Sequence, residues 1–210
     1  MTPRRSILFA CLVPLIAASA GAQERMTSIA KQKMTTAQQE AADKLLKSRG
    51  AGALAGPFVP LLRSPELMNR LQYTGEYLRF QNHIGRKLTE FVILLTARAW
   101  TQQYEFHAHE PLAAQVGIPP EIIQAVAEGR RPPAMDADEE TAYAFFTELR
   151  ENQGVSDATY ARALGRLGEQ GIVDMTTLIG YYTTLAMIMN VARAPLPDGA
   201  KPPLRPFPDN

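Results

Sequence analysis

Apolar residues recur along this chain at helical spacing, and nowhere do they alternate with polar residues for long enough to make a strand. No Asn-Gly pair offers a hairpin turn, and the single Asp-Gly pair, Asp198-Gly199, lies in the proline-rich tail with no alternating segment on either side. The pattern predicts an all-α protein. A first helix runs from Thr36 to Ser48 and stops at Arg49-Gly50, where glycine can take the left-handed cap conformation. A Gly/Ala/Pro-rich loop over 50–63 leads to Ser64-Pro65-Glu66, a helix start with serine at the N-cap, proline in the first turn and an early acid. That helix should reach about His83. From Arg86 to Ala99 nearly every position is apolar, which predicts a helix buried on most sides. Gln102 to Val116 forms the next helix, with Pro111 a kink and Gly117 its stop. Pro119 to Glu128 is a short helix, and Arg130-Arg131-Pro132-Pro133 a connector. Helices follow over 137–152, 156–168 and 171–193. The last is almost wholly apolar, but Asp174, Asn190 and its threonines favour a core helix over a membrane span.

The ends of the chain read differently. Residues 1–22 have a signal peptide's layout: Arg4 and Arg5, an apolar run from Ile7 to Ala18 too short to anchor, and Ala20-Gly21-Ala22 before the cut. The paired arginines only partly fit a twin-arginine motif, and Leu8-Phe9-Ala10-Cys11 sits too early for a lipoprotein box. Residues 23–34 are polar and expected to be a flexible leader, and 35–194 form one helical domain. The tail, 195–210, holds six prolines between Pro195 and Pro208 and is expected to lie as an extended strap on this subunit or a neighbour.

Removing the signal changes the chemistry that is open. Cys11 is the only cysteine and leaves with it, so the mature chain has no thiol, disulfide or thiolate ligand although it is bound for the periplasm or beyond. Taking Arg4 and Arg5 from the 22 basic residues leaves 20 against 21 acidic ones, a formal charge of −1. That balance suggests neither nucleic acid nor an anionic membrane as a partner. A soluble protein acting on a small molecule is the expectation.

The candidate chemistry lies between Leu88 and Gly117. Glu105 and His109 are four apart and share one helix face, where a carboxylate can orient an imidazole. Glu90 stands fifteen residues before Glu105. In one unbroken helix that is a rise of roughly 22 Å, so the three groups converge only if the chain turns back between about Ala99 and Gln103. Trp100, Tyr104 and Phe106 are candidate walls. In the plainer alternative, Glu105 and His109 are a surface pair and Glu90 a helix-end acid. His107, some 200° around the helix from Glu105, should face elsewhere, and His83 is most simply a residue at a helix end. Glu90, Glu105 and His109 could ligate a divalent ion, but one histidine and two acids recur often by accident, and no metal or other cofactor is expected. Acids head two apolar helices, in Lys87-Leu88-Thr89-Glu90-Phe91 and Gly171-Ile172-Val173-Asp174-Met175. This reads either as a duplicated helical unit or as the common preference for acids near helix starts.

Residues 86–128, with the acid-headed buried helix, Glu105-x-x-x-His109, Ala113-Ala114 and the Gly117 stop, resemble the carboxymuconolactone decarboxylase family of the alkylhydroperoxidase D-like superfamily. Residues 64–86 and the Gly180-Tyr181-Tyr182 helix extend the resemblance over about 64–193. It implies an alkylhydroperoxidase D-like helical bundle, a homo-oligomer, and a site of His109, Glu105 and Glu90 with substrate contacts from Trp100, Tyr104 and Tyr182. In the peroxidase branch a glutamate is followed by Cys-x-x-Cys and then, after three residues, histidine. Glu90 and His109 match, but Gln102 and Glu105 occupy the cysteine positions, so thiol peroxidase chemistry is excluded. The expectation is cofactor-free acid/base chemistry, decarboxylation or isomerisation, on a small carboxylated or lactone-like substrate. His109 is the acid/base, Glu105 its orienting partner and Glu90 a second acid/base. The alternative is a non-catalytic scaffold that binds a small hydrophobic ligand or a protein partner.

Overall fold

A computed structural model describes residues 23–205. Residues 1–22, expected to be a signal peptide, and residues 206–210 of the tail lie outside the described residues. Among those described, the chain forms eight α-helices, one short 3-10 turn and no strand.

Helix α1, Thr36–Arg49, opens in a capping box in which the Thr35 side chain and Gln38 satisfy each other's backbone N–H groups. The following loop contains one turn of helix that the composition hid, α2, Phe58–Leu61. Pro57 sets its entry at φ −65°, and Phe58, Leu61 and Leu62 are buried. Helix α3, Pro65–Phe80, starts where proline and Glu66 predict, but Ser64 makes no side-chain cap. It ends short of His83 because Asn82 folds the chain over: its Oδ1 accepts from the Ile84 and Gly85 N–H groups, both at 3.1 Å. Helix α4, Gly85–Ala99, is buried without interruption from Leu88 to Arg98. Helices α5, Gln103–Gln115, and α6, Pro120–Ala127, follow, and α5 continues past Pro111. Helix α7, Ala137–Asn152, begins with a capping box between Asp136 and Glu139.

The two C-terminal helices expected over 156–168 and 171–193 are the halves of α8, Asp157–Ala192, divided by Gly168 at φ 68° and ψ 174°. By length and composition alone α8 could cross a membrane. Here the apolar face of its second half fills the core, with Met175, Leu178, Tyr182, Leu185 and Met189 buried.

Helix α4 is the axis of the fold. It packs against α3, α5, α6, α7 and α8, while α1 covers α3. Phe91, Val92, Ile93 and Leu94 have no solvent exposure at all, and each such side chain contributes about 1.5–3 kcal/mol of burial. Glu90 is built into this tightly packed helix, so its carboxylate has a fixed position in the core.

Both ends of the described segment are tied to the bundle. Arg25 donates its backbone N–H to the Ala192 carbonyl at 2.9 Å, and Arg63 reaches the Thr27 carbonyl at 2.8 Å. The described part of the tail, 195–205, crosses back over this same chain as a strap. Leu204 is buried, its N–H donates to Gln103 Oε1 at 3.0 Å, and its carbonyl accepts from Gln103 Nε2 at 2.8 Å. Arg98 holds the next carbonyl, that of Arg205, at 2.8 Å.

Candidate active site

The site exists because the chain breaks after α4. Trp100 ends the helix and Thr101 takes a left-handed φ of 46°, which a threonine adopts only when its surroundings hold it there. Gln102 then caps α5: its Oε1 accepts from the N–H groups of Tyr104 at 2.7 Å and Glu105 at 3.2 Å. Asn190 of α8 locks the elbow from the other side. Its Oδ1 accepts from Gln102 Nε2 and its Nδ2 donates to the Trp100 carbonyl, both at 2.9 Å. Helix α5 therefore runs back along α4, and His109 meets Glu90.

That contact is the strongest in the site. His109 Nδ1 lies 2.6 Å from Glu90 Oε2, with Glu90 fully buried and His109 8% exposed. In this geometry the neutral imidazole carries its proton on Nδ1 and donates it to the carboxylate, leaving Nε2 with a free lone pair. Arg86 places Nη2 3.7 Å from the other Glu90 oxygen, which has no hydrogen bond. Burial lowers the His109 pKa, Glu90 opposes that shift, and Arg79 and Arg86 reinforce it. Tyr182 packs edge-on against the imidazole at 5.2 Å and Tyr181 edge-on against Tyr182 at 5.3 Å, so the ring is fixed in place.

Glu105 does not orient His109. It shares the helix face as its spacing requires, but Glu90 occupies Nδ1, and neither Glu105 oxygen has a hydrogen-bond partner. Burial without compensation pushes its pKa well above the ordinary carboxylate value. The group is thus held in its neutral form far above the pH at which an exposed glutamate ionises.

His109 and Glu105 open onto a cavity of about 280 Å³, at the small end of ligand-site volumes. Tyr104, Tyr181 and Tyr182 line it, with Phe58, Leu185 and Met189 as apolar wall and Arg49 and Arg79 at its edge. Of the expected contact residues, Tyr104 and Tyr182 are on this wall. Trp100 is not: it is 40% exposed beyond the elbow, where its indole N–H donates to Thr183 Oγ1 at 3.2 Å. Phe106 is wholly buried in the core. His107 faces away, beside Pro111 and Ile123. Asp174, the second helix-head acid, has a different task. It accepts from the Tyr77 hydroxyl at 3.0 Å and the His83 N–H at 2.9 Å, and so holds the turn between α3 and α4. Among the described residues no group of three or more His, Cys, Asp or Glu is arranged to hold a metal ion.

The sequence pattern does not mark Arg49, Arg79 or Tyr181 as site residues. Both arginines are last-turn basic residues, which ordinarily reads as a favourable interaction with the helix dipole. Tyr104 has a further neighbour: Gly56, at φ 54°, lies so close that an added Cβ would sit 2.2 Å from the Tyr104 ring. Gly56→Ala should therefore destabilise the protein by about 1–3 kcal/mol. Chemical denaturation measures this, and an unchanged midpoint would show that the ring moves aside freely.

No protein-family model matches the chain, and no curated protein matches it either. Its fold has clear likenesses among solved structures. The alkylhydroperoxidase AhpD core of an uncharacterised peroxidase-related protein from Ralstonia eutropha superposes with a TM-score of 0.67 at 11% identity, over 83% of this chain and 93% of that one. A protein of unknown function from Agrobacterium tumefaciens, provisionally assigned to the antioxidant defence protein AhpD, gives 0.52 at 18% identity, over 65% and 94%. The chain has an AhpD-like helical fold.

Proposed function

We propose that the protein is a cofactor-free acid/base enzyme of the carboxymuconolactone decarboxylase-like kind, exported by its N-terminal segment and acting as a homo-oligomer on a small carboxylated or lactone-like substrate. The observation that carries this reading is the buried Glu90–His109 pair, 2.6 Å apart, opening onto a small cavity beside an unpartnered Glu105. A carboxylate–imidazole pair fixes the histidine tautomer, presents Nε2 as a base and stabilises the imidazolium that forms when it takes a proton. Glu105, neutral through burial, is a proton donor of opposite sense within the same cavity.

In the proposed reaction His109 Nε2 removes a proton from a substrate carbon adjacent to a conjugated carbonyl. Glu105 donates to the carbonyl oxygen as negative charge gathers there. Return of the proton at another carbon completes an isomerisation. Where the substrate carries a carboxylic acid on that carbon, His109 Nε2 takes the acid proton, loss of CO2 from the resulting carboxylate generates the same enolate, and the imidazolium returns that proton to the carbon. The conjugated carbonyl is the electron sink in both cases. Thiol-dependent peroxide reduction is unavailable to this site. Gln102 is committed to capping α5, and Glu105 offers a carboxyl where a thiol would be needed.

Screening the purified mature protein against small unsaturated lactones and carboxylic acids, with His109→Ala and Glu105→Gln alongside, tests the proposal. Turnover should be lost in the first variant and severely reduced in the second. A substrate turned over equally well by both would overturn the mechanism. Ligands that bind but never react would favour a binding scaffold instead.

A further inference from the structure

The cavity holds cationic groups that the acid/base reading does not use. Arg49 ends α1 and Arg79 stands in the last turn of α3, and both line the space in front of His109. Arg49 Nη2 and Arg79 Nε are buried donors with no acceptor, and among the described residues no carboxylate lies within ion-pair distance of either side chain. A buried guanidinium N–H without an acceptor is costly and rare. The nearby acids do not relieve it, because Glu90 is engaged by His109 and Arg86 and Glu105 has no partner at all. The cavity therefore has an excess of positive charge and of donors.

The arginines are also held in orientation. Arg49 Cζ lies 4.9 Å above the Phe58 ring and Arg79 Cζ 5.0 Å above the Phe80 ring. Stacking on an aromatic face fixes the guanidinium plane and leaves its in-plane N–H edge for a planar acceptor. Both cations also act on the Tyr181 hydroxyl, Arg49 in part by hydrogen bonding to it, and oppose the upward pKa shift that burial causes, so their fields overlap in the cavity while Arg49 Nη2 still lacks an acceptor.

We propose that Arg49 and Arg79 form a carboxylate clamp, and that the site takes a small monocarboxylate whose apolar body lies against Phe58, Leu185 and Met189. The clamp deepens the acid/base reading by assigning the substrate's anchor, and it rests on that reading only for the identity of the cavity. Two planar forks and a small, partly apolar chamber suit a carboxylate on a compact body better than a free inorganic anion.

Calorimetric titration of the full-length mature chain with benzoate, benzamide and inorganic phosphate tests this. Benzoate should bind at least about 10-fold more tightly than either other probe. Arg49→Gln and Arg79→Gln should each weaken benzoate by about 10- to 100-fold while leaving benzamide nearly unchanged. The wild-type comparison needs no variant to fold, and circular dichroism identifies a variant that does not. Equal affinity for benzoate and benzamide, phosphate binding as tight as benzoate, no benzoate binding at millimolar concentration, or folded glutamine variants with undiminished benzoate affinity would each overturn the clamp. Failure of the acid/base reading is distinguishable, because His109→Ala should keep benzoate binding within a few-fold whether or not turnover depends on that residue.

Discussion

Glu90→Gln should lower turnover of the substrate by roughly 10²–10⁴-fold while the helices remain folded. Glutamine is close to isosteric and its amide oxygen can still accept from His109 Nδ1, so the ring should stay where Tyr182 holds it. What disappears is the negative charge beside the imidazolium that must form during proton abstraction. Glu90 is also the influence that raises the His109 pKa against burial and the neighbouring arginines. Its loss should move the histidine's titration to still lower pH, which NMR of the imidazole can follow in the absence of any substrate. An unchanged turnover number together with an unchanged His109 titration would show that the 2.6 Å contact is a packing feature only.

Glu105→Gln should produce the largest change in the pH dependence of stability. An unfolded glutamate ionises near 4.5, whereas burial keeps folded Glu105 protonated to well above that. Between those two values the unfolded chain binds fewer protons than the folded one, so wild-type stability falls as pH rises, by up to about 1.4 kcal/mol per pH unit. Glutamine has no proton to lose, so the variant should match the wild type below pH 4.5 and exceed it at neutral and mildly alkaline pH. His109 contributes with the opposite sign. Its lowered pKa removes stability as pH falls below its ordinary value of 6.5. Urea denaturation at a series of pH values separates the two. Parallel stability curves for wild type and Glu105→Gln from pH 4 to 9 would mean that folded Glu105 ionises as readily as in the unfolded chain, its charge stabilised by a partner or by water.

The helices are legible in the sequence because their signals are local. Proline and Glu66 start α3, the Gly168-to-Gly171 region divides α8, and the unbroken apolar run of α4 indicates burial on every side. The required break near Trp100 is equally legible, because a fifteen-residue rise has a fixed length. The partner of His109 is harder to see. Spacing on one helix nominates Glu105, but only the packing of α5 against α4 decides which acid reaches Nδ1, and Glu90 wins from the neighbouring helix. Trp100 departs from expectation for a related reason, since a residue at the elbow can point to either side and its indole turns outward to Thr183. Arg49 and Arg79 leave no local trace, because each satisfies an ordinary helix-end pattern and their convergence depends on how α1 packs on α3 and α3 on α8.

The strap that crosses the elbow offers a way to watch the site from a distance. Gln103 and Leu204 hold each other through two hydrogen bonds across 101 residues of chain, which makes a non-covalent clasp that can open while every helix stays intact. The Leu204 amide proton is sealed only while that clasp is shut, so its exchange with deuterated solvent counts openings one backbone position at a time. Slower exchange on adding a ligand to the cavity would show that occupancy and closure of the elbow are energetically linked. A single amide would then serve as the sentinel for a candidate site whose His109 lies 95 residues earlier in the sequence (204 − 109).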